Sequence, residues 1–194
     1  MPVKINFFQF TAPFYDWLHF ASAKRTLRCL EKLNFLEVGD SVIDLGGGTG
    51  RVSLLIAQKV KKLVIVDASA AMLKVAASRG LEIVCGTAEK IPVAKDSVDK
   101  ITIIDAFHHF QEPEIALKEI FRVLKPGGKV FIEEVFPHGL FGNALVFAEN
   151  VLRMNSFFYQ PKTITAMALE IFSEAQFIPI NKRFYAIVLR KPIK

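Results

Sequence analysis

Five short β-branched runs, "SVIDL", "KLVIVD", "LEIVC", "KITIID" and "KVFIEEVF", recur along the chain with longer helical patterns between most of them. They are apolar without strict alternation, which suits parallel strands covered on both faces. Helical patterns from Gly50 to about Gln58, Ala70 to Ser78 and Pro113 to Leu124 supply the crossovers that parallel strands need. The expected fold class is therefore α/β: a Rossmann-like, doubly wound, mostly parallel sheet. The end of the chain breaks the rhythm. After a helix from Pro161 to Ala175, Phe177 to Arg190 reads as two strands around a turn near Arg183 to Tyr185. Strands so close in sequence pair antiparallel, so a C-terminal hairpin is expected to close the sheet.

At 194 residues and 52% apolar composition, the chain suffices for one well-buried domain and is short for two. Within it, residues 1–38 are expected to form an N-terminal helical cap, 39–136 a ligand-binding core, 137–160 a lid or substrate segment, and 161–194 the last helix and hairpin. The longest uncharged stretch, Val135 to Ala148, is broken by Pro137, His138 and two glycines. It falls well short of the roughly 20 apolar residues of a membrane span. The opening "MPVKINFFQF" lacks a cleavage site of small residues, which argues against a signal peptide. Cys29 and Cys85 stand alone, forming neither a disulfide framework nor a metal pattern, so a reducing cytoplasm is the expected location. A net charge of +6 admits an acidic partner, whether nucleic acid, an anionic lipid surface or a small anion. No long basic arm favours a polymer.

In an open α/β sheet, ligands bind beyond the carboxyl ends of the strands, where the strand order reverses. The first strand-to-helix turn, "DLGGGTGR" from Asp44 to Arg51, is thus the expected ligand loop. A dinucleotide fingerprint starting from Gly46 and Gly48 needs glycine where Arg51 stands, and a phosphate loop needs a Lys-Ser/Thr pair that is absent. What remains is Asp44-x-Gly46-x-Gly48-x-Gly50, followed by Asp67 at the end of the second run. A carboxylate there suits two ribose hydroxyls and repels a 2′-phosphate. The spacing describes an adenosine without a pyrophosphate.

Five segments in order, "VIDLGGGTG", "VIVDASAAML", "GTAEKIPVAKDSVDKI", "DAFHHF" and "LKEIFRVLKPGGKVFIEE", resemble the class I S-adenosylmethionine-dependent methyltransferases. The likeness is to the type 11 branch, which includes ubiquinone and menaquinone biosynthesis methyltransferases, and covers about Tyr15 to Leu189. It implies S-adenosylmethionine as cofactor and S-adenosylhomocysteine as product. Residue by residue, it lays Gly46, Gly47, Gly48, Thr49 and Gly50 against the methionine part, with Asp44 facing its positively charged end. Asp67 and Ala68 fall at the ribose, and Met72 is either a cofactor contact or plain core. Thr87-Ala88 stands where the family usually has Asp-Ala, leaving Glu89 as a substitute contact to adenine or a surface residue. Asp105 falls beside the methyl group. His108 and His109 are the candidate catalytic residues, and at most one of two adjacent side chains is expected to face the acceptor. No His/Cys spacing fits a metal, and Lys125-Pro126-Gly127-Gly128 reads as the stop between a helix and the fifth strand.

Displacement at a sulfonium needs alignment and exclusion of water more than it needs a base. For a hydroxyl acceptor, His108 or His109 is the candidate base; for an amine or carbon acceptor, Asp105 or Glu134. Phe7, Phe8, Phe10, Phe14 and Phe20, with Phe136, Phe141, Phe147, Phe157 and Phe158, suit either an apolar lid or docking onto the sheet. The expected partner is a small, apolar or aromatic acceptor, with peripheral membrane contact as a further expectation. Two alternatives stay open: an RNA methyltransferase, and an accessory subunit that binds the cofactor without activity. The Asn/Asp-Pro-Pro-Tyr signature of amino-group nucleic-acid enzymes is absent after the fourth run, where Asp105-Ala106-Phe107-His108 stands.

Overall fold

The structure, a computed structural model, describes residues 23–137, 139–151 and 156–193. Seven strands form one sheet: β1 (Ser41–Leu45), β2 (Lys62–Asp67), β3 (Glu82–Cys85), β4 (Val98–Ile104), β5 (Leu124–Val135), β6 (Glu174–Pro179) and β7 (Phe184–Arg190). Their order is β3-β2-β1-β4-β5-β7-β6. Strands β1 to β5 pair in parallel, while β7 runs antiparallel to β5 and to β6. The chain builds outward from β1 to one side and then returns to add β4 on the other, so the strand order reverses at β1.

Helices cover both faces. On one, α1 (helical over 23–32), α2 (Ser53–Ile56) and α3 (Ala70–Ser78) pack Leu30, Ile56 and Leu73 onto Val42, Ile65 and Phe131. On the other, α4 (Pro113–Val123) and α6 (Pro161–Leu169) pack Leu117, Ile120 and Ala168 onto Ile43, Ile101, Val130 and Ile132. Successive residues of β1 and β5 serve opposite clusters, which is why these runs show no alternation of polarity. A further helix, α5 (Gly139–Val151), follows β5. No helix among the described residues is long and apolar enough to cross a membrane. Both cysteines are free.

Three boundaries differ from the sequence expectation. The first crossover is one α-helical turn, α2, continued by a 3₁₀ turn at Ala57–Lys59, and not one helix from Gly50. Helix α6 ends at Leu169, because Ser173 donates from both its N–H (3.1 Å) and its Oγ (3.0 Å) to the Arg190 carbonyl and draws Ala175 into β6. The hairpin turn precedes Phe184, where Asn181 Oδ1 accepts the N–H groups of Arg183 (2.8 Å) and Phe184 (3.1 Å). Lys125–Gly128 does follow a helix, yet pairing has already begun: Leu124 lies opposite Val98 and Lys129 opposite Lys100, so these four residues loop out of β5.

Candidate active site

A cavity of about 340 Å³ opens at the carboxyl ends of β1, β2 and β4, where the strand order reverses. Of the candidate site residues, Asp44, Gly46, Gly47, Gly48, Thr49, Asp67, Ala68, Met72, Thr87, Ala88, Glu89, Asp105 and His109 line it. Gly50 and His108 do not. Arg51, Ser69, Phe110 and Gln111 are among the further residues of the wall.

Gly48 sits at φ +57° with nothing within 4 Å of the place a Cβ would occupy, so it turns bare backbone toward open space. Its N–H donates to Asp67 Oδ2 (2.9 Å), and the Ser69 N–H donates to Oδ1 (2.7 Å). Asp67 thus ties the end of β2 to the glycine loop, and burial raises its carboxyl above the usual range. Gly50 has another task. At φ +77°, a Cβ there would lie 2.9 Å from Ile65 and closer still to Leu81, so this glycine lets the helical layer pack on the sheet. That packing, and not ligand contact, explains its place in the motif.

Asp44 is 2% exposed, with Oδ1 accepting from Thr102 Oγ1 (2.9 Å) and Oδ2 from Ser53 Oγ. Burial raises its carboxyl too, and the two hydroxyls oppose the shift. Asp44 therefore braces the loop from below as well as lining the cavity. Thr102 was visible only as a polar residue in an apolar run, and its pairing with Asp44 required the β1–β4 register. Glu89 is half-buried and lines the cavity: Oε1 accepts the N–H groups of Gln111 (3.0 Å) and Glu112 (3.3 Å), joining the loops after β3 and β4.

At the end of β4 the backbone of Asp105 enters the left-handed region, φ +55°, and its N–H donates to the Glu133 carbonyl (2.8 Å). A 3₁₀ turn, Phe107–His109, follows. Glu134 holds it from beneath: Oε1 accepts the N–H groups of Ala106 (3.2 Å) and Phe107 (2.8 Å), and Oε2 lies 2.7 Å from His108 Nδ1. His108 is consequently buried, stacked on Phe158 with centroids 4.5 Å apart. His109 reaches the cavity with Nδ1 3.1 Å from Ser156 Oγ. Burial, reinforced by neighbouring His108, pushes its pKa down to about 3, so the ring is neutral near pH 7. The two rings stay in contact, 4.1 Å between centroids, yet face different surroundings because the 3₁₀ turn rotates successive residues by about 120°.

Ligand atoms of Asp105, His108 and Glu134 lie within 4.8 Å of one another, a grouping that no sequence spacing announced. Glu134 already accepts three hydrogen bonds, so the grouping works as a hydrogen-bonded turn. The aromatic residues divide. Phe136 packs on Tyr185 (4.9 Å between centroids) at the hairpin, Phe158 covers His108, and Phe147 and Phe157 are exposed. Phe7, Phe8, Phe10, Phe14 and Phe20, and the side chain of Phe141, lie outside the described residues.

A family profile described as a methyltransferase domain matches residues 43–132, the segment from β1 through β5 that builds this cavity. This chain carries a class I methyltransferase domain of the type 11 branch. It is 41% identical over 96 residues to a ubiquinone/menaquinone biosynthesis C-methyltransferase of Rubrivivax gelatinosus, covering 48% of this chain and 38% of that protein. A demethylmenaquinone methyltransferase of Paenarthrobacter aurescens is 36% identical over 137 residues, covering 68% of this chain and 54% of its own. The chain thus spans roughly half the length of these relatives. Among solved structures, a possible histamine N-methyltransferase from Thermotoga maritima matches with a TM-score of 0.75 at 23% identity, over 95% of this chain and 97% of its own. A chain solved with the Trm112 methyltransferase activator of Haloferax volcanii matches at 0.82 and 18% identity, over 98% and 100%. At these identities the likeness is of fold.

The methyltransferase cofactor, S-adenosylmethionine, fits the residues present. Bare backbone at Gly48 leaves a cradle that a side chain would fill, and Asp67 stands beside it at the end of β2. The volume lies in the range of small-molecule sites.

Proposed function

We propose that the protein is an S-adenosylmethionine-dependent methyltransferase that transfers a methyl group to a small acceptor by direct displacement. The observation that carries this reading is the Gly48–Asp67 cradle, opening onto a cavity whose far side is Asp105 and His109. When bound, S-adenosylmethionine supplies a methyl group already activated on a sulfonium. The chain's own residues then bind, orient and keep water out. Asp67 accepts two backbone N–H groups and keeps lone pairs for the ribose hydroxyls. The loop from Gly46 to Thr49 lies along the amino-acid part, while Thr87, Ala88 and Met72 flank the adenosine. Thr87 offers a hydroxyl where the family usually offers a carboxylate, so backbone groups and apolar contact carry more of the adenine recognition. Glu134 fixes the turn that presents Asp105 and His109 to the acceptor.

The names of the relatives make quinone carbon methylation one acceptor class to test. The RNA and accessory-subunit alternatives gain no observation from the cavity. Calorimetry with S-adenosylmethionine tests the core of the proposal: the wild type binds, and Asp67→Ala binds at least about tenfold more weakly, because its backbone partners are left buried and unpaired. A wild type that does not bind overturns the reading. A methyl-transfer screen with labelled donor across quinol, amine, lipid and RNA pools then identifies the acceptor.

A further inference from the structure

Asp105 stands apart among the carboxylates of the cavity. Asp44, Asp67 and Glu89 each accept hydrogen bonds from hydroxyls or backbone N–H groups. The Asp105 carboxylate lines the same cavity and receives no hydrogen bond or ion pair from any described residue. Its position is nonetheless firm: its own N–H is bound to the Glu133 carbonyl at 2.8 Å, and the following turn is held by Glu134. An unpaired carboxylate on a rigid turn beside a cavity is a docking point for a donor.

Its surroundings sharpen what kind of donor. Glu133 is 1% exposed, with Oε1 taken by Arg25 and Thr26 on α1, while Oε2 is buried without any partner. Asp105 lies close enough to disfavour the charge on Glu133. An oxygen of Glu134 lies within 4.8 Å of one on Asp105. Asp105 and Glu134 therefore meet at the ends of β4 and β5, while Glu133 turns to the opposite face of the sheet, where Arg25 is committed to it. A quinol brings no positive charge to offset the acids.

Building on the methyltransferase reading, we infer that Asp105 is the acceptor-binding residue and that the acceptor is a small amine: it docks as its ammonium ion on this carboxylate, one proton leaves by way of Asp105 to solvent, and the freed lone pair forms the N–C bond as the S–C bond breaks and S-adenosylhomocysteine leaves. A charged contact of this kind favours an amine over a neutral molecule of the same shape.

The test uses matched pairs, 2-phenylethylamine with 2-phenylethanol and butylamine with butanol, titrated by calorimetry into the protein saturated with S-adenosylhomocysteine. In at least one pair the amine binds about tenfold or more tighter than its alcohol, the size of a charge-assisted hydrogen bond. That preference falls to within about threefold in Asp105→Asn and in Asp105→Gly. Asparagine and glycine both accept the left-handed backbone at this position, so the turn survives the change. Equal binding of amine and alcohol in both pairs overturns the inference, as does an amine preference that persists in both variants. A loss of S-adenosylhomocysteine affinity in Asp105→Asn as large as the loss of amine affinity also overturns it, assigning the carboxylate to the donor. Failure of the wild type to bind S-adenosylhomocysteine is a separate result, which removes the methyltransferase reading itself.

Discussion

His109 carries the clearest pH signature of any single residue in the cavity. Its pKa falls from 6.5 in an unfolded chain to about 3 in the folded one, so between these values the unfolded state binds more protons. Its contribution to stability is present above pH 6.5 and is lost progressively as pH falls toward 3. Replacing it removes that loss: His109→Gln is expected to gain stability relative to wild type when both are unfolded in urea at pH 4.5 instead of pH 7. Asp44 and Asp67 act in the opposite sense, because burial raises their carboxyls, and their desolvation penalty grows as pH rises through their titration. At this scale the sequence was readable wherever a residue's neighbours in the chain define its task. Asp67 at the end of an apolar run is such a case. It was unreadable for Asp44, whose carboxylate is claimed by Thr102 58 residues away.

Among the elements, the glycine loop and the segment after α4 show how local sequence and packing share control. Gly50 combines a positive φ with close approach to Ile65 and Leu81. Gly50→Ala therefore adds left-handed strain to overpacking and is expected to cost about 2–5 kcal/mol in urea unfolding. The looped-out Lys125–Gly128 is anchored by Lys191, whose buried Nζ donates to the carbonyls of Phe121 (2.8 Å) and Leu124 (2.7 Å) and to Asp96 (2.6 Å). These carbonyls lie at the junction between the end of α4 and the start of β5, where the helical hydrogen-bond ladder stops. Lys191→Ala is expected to lower stability by about 1–3 kcal/mol through the acceptors it strands, again read from urea midpoints. Strand positions followed from the β-branched runs. The ends of α2 and α6 did not, because Ser173 meets Arg190 only once the hairpin has formed.

Taken whole, the molecule places its cavity on the seam where the two halves of the sheet meet. Binding there draws together the loops after β1, β2, β3 and β4, so a ligand that selects the folded state stabilises all of them at once. S-adenosylhomocysteine at 100 times its dissociation constant is expected to add about 2.7 kcal/mol to the unfolding free energy, and about 1.4 kcal/mol or less in Asp67→Ala at the same concentration. Urea titrations with and without ligand check both. The sequence by itself determined the strand and crossover pattern, hence a doubly wound sheet, and the Gly-rich loop with Asp67, hence an adenosine-type ligand, because both signals are local and periodic. Only the tertiary structure decided which histidine reaches the cavity, that Gly50 serves packing, and that Asp105 meets Glu134 while Glu133 turns to α1. These depend on pairing β4 with β5 and on docking α1 over Glu133, contacts between residues far apart in the chain that no local pattern encodes.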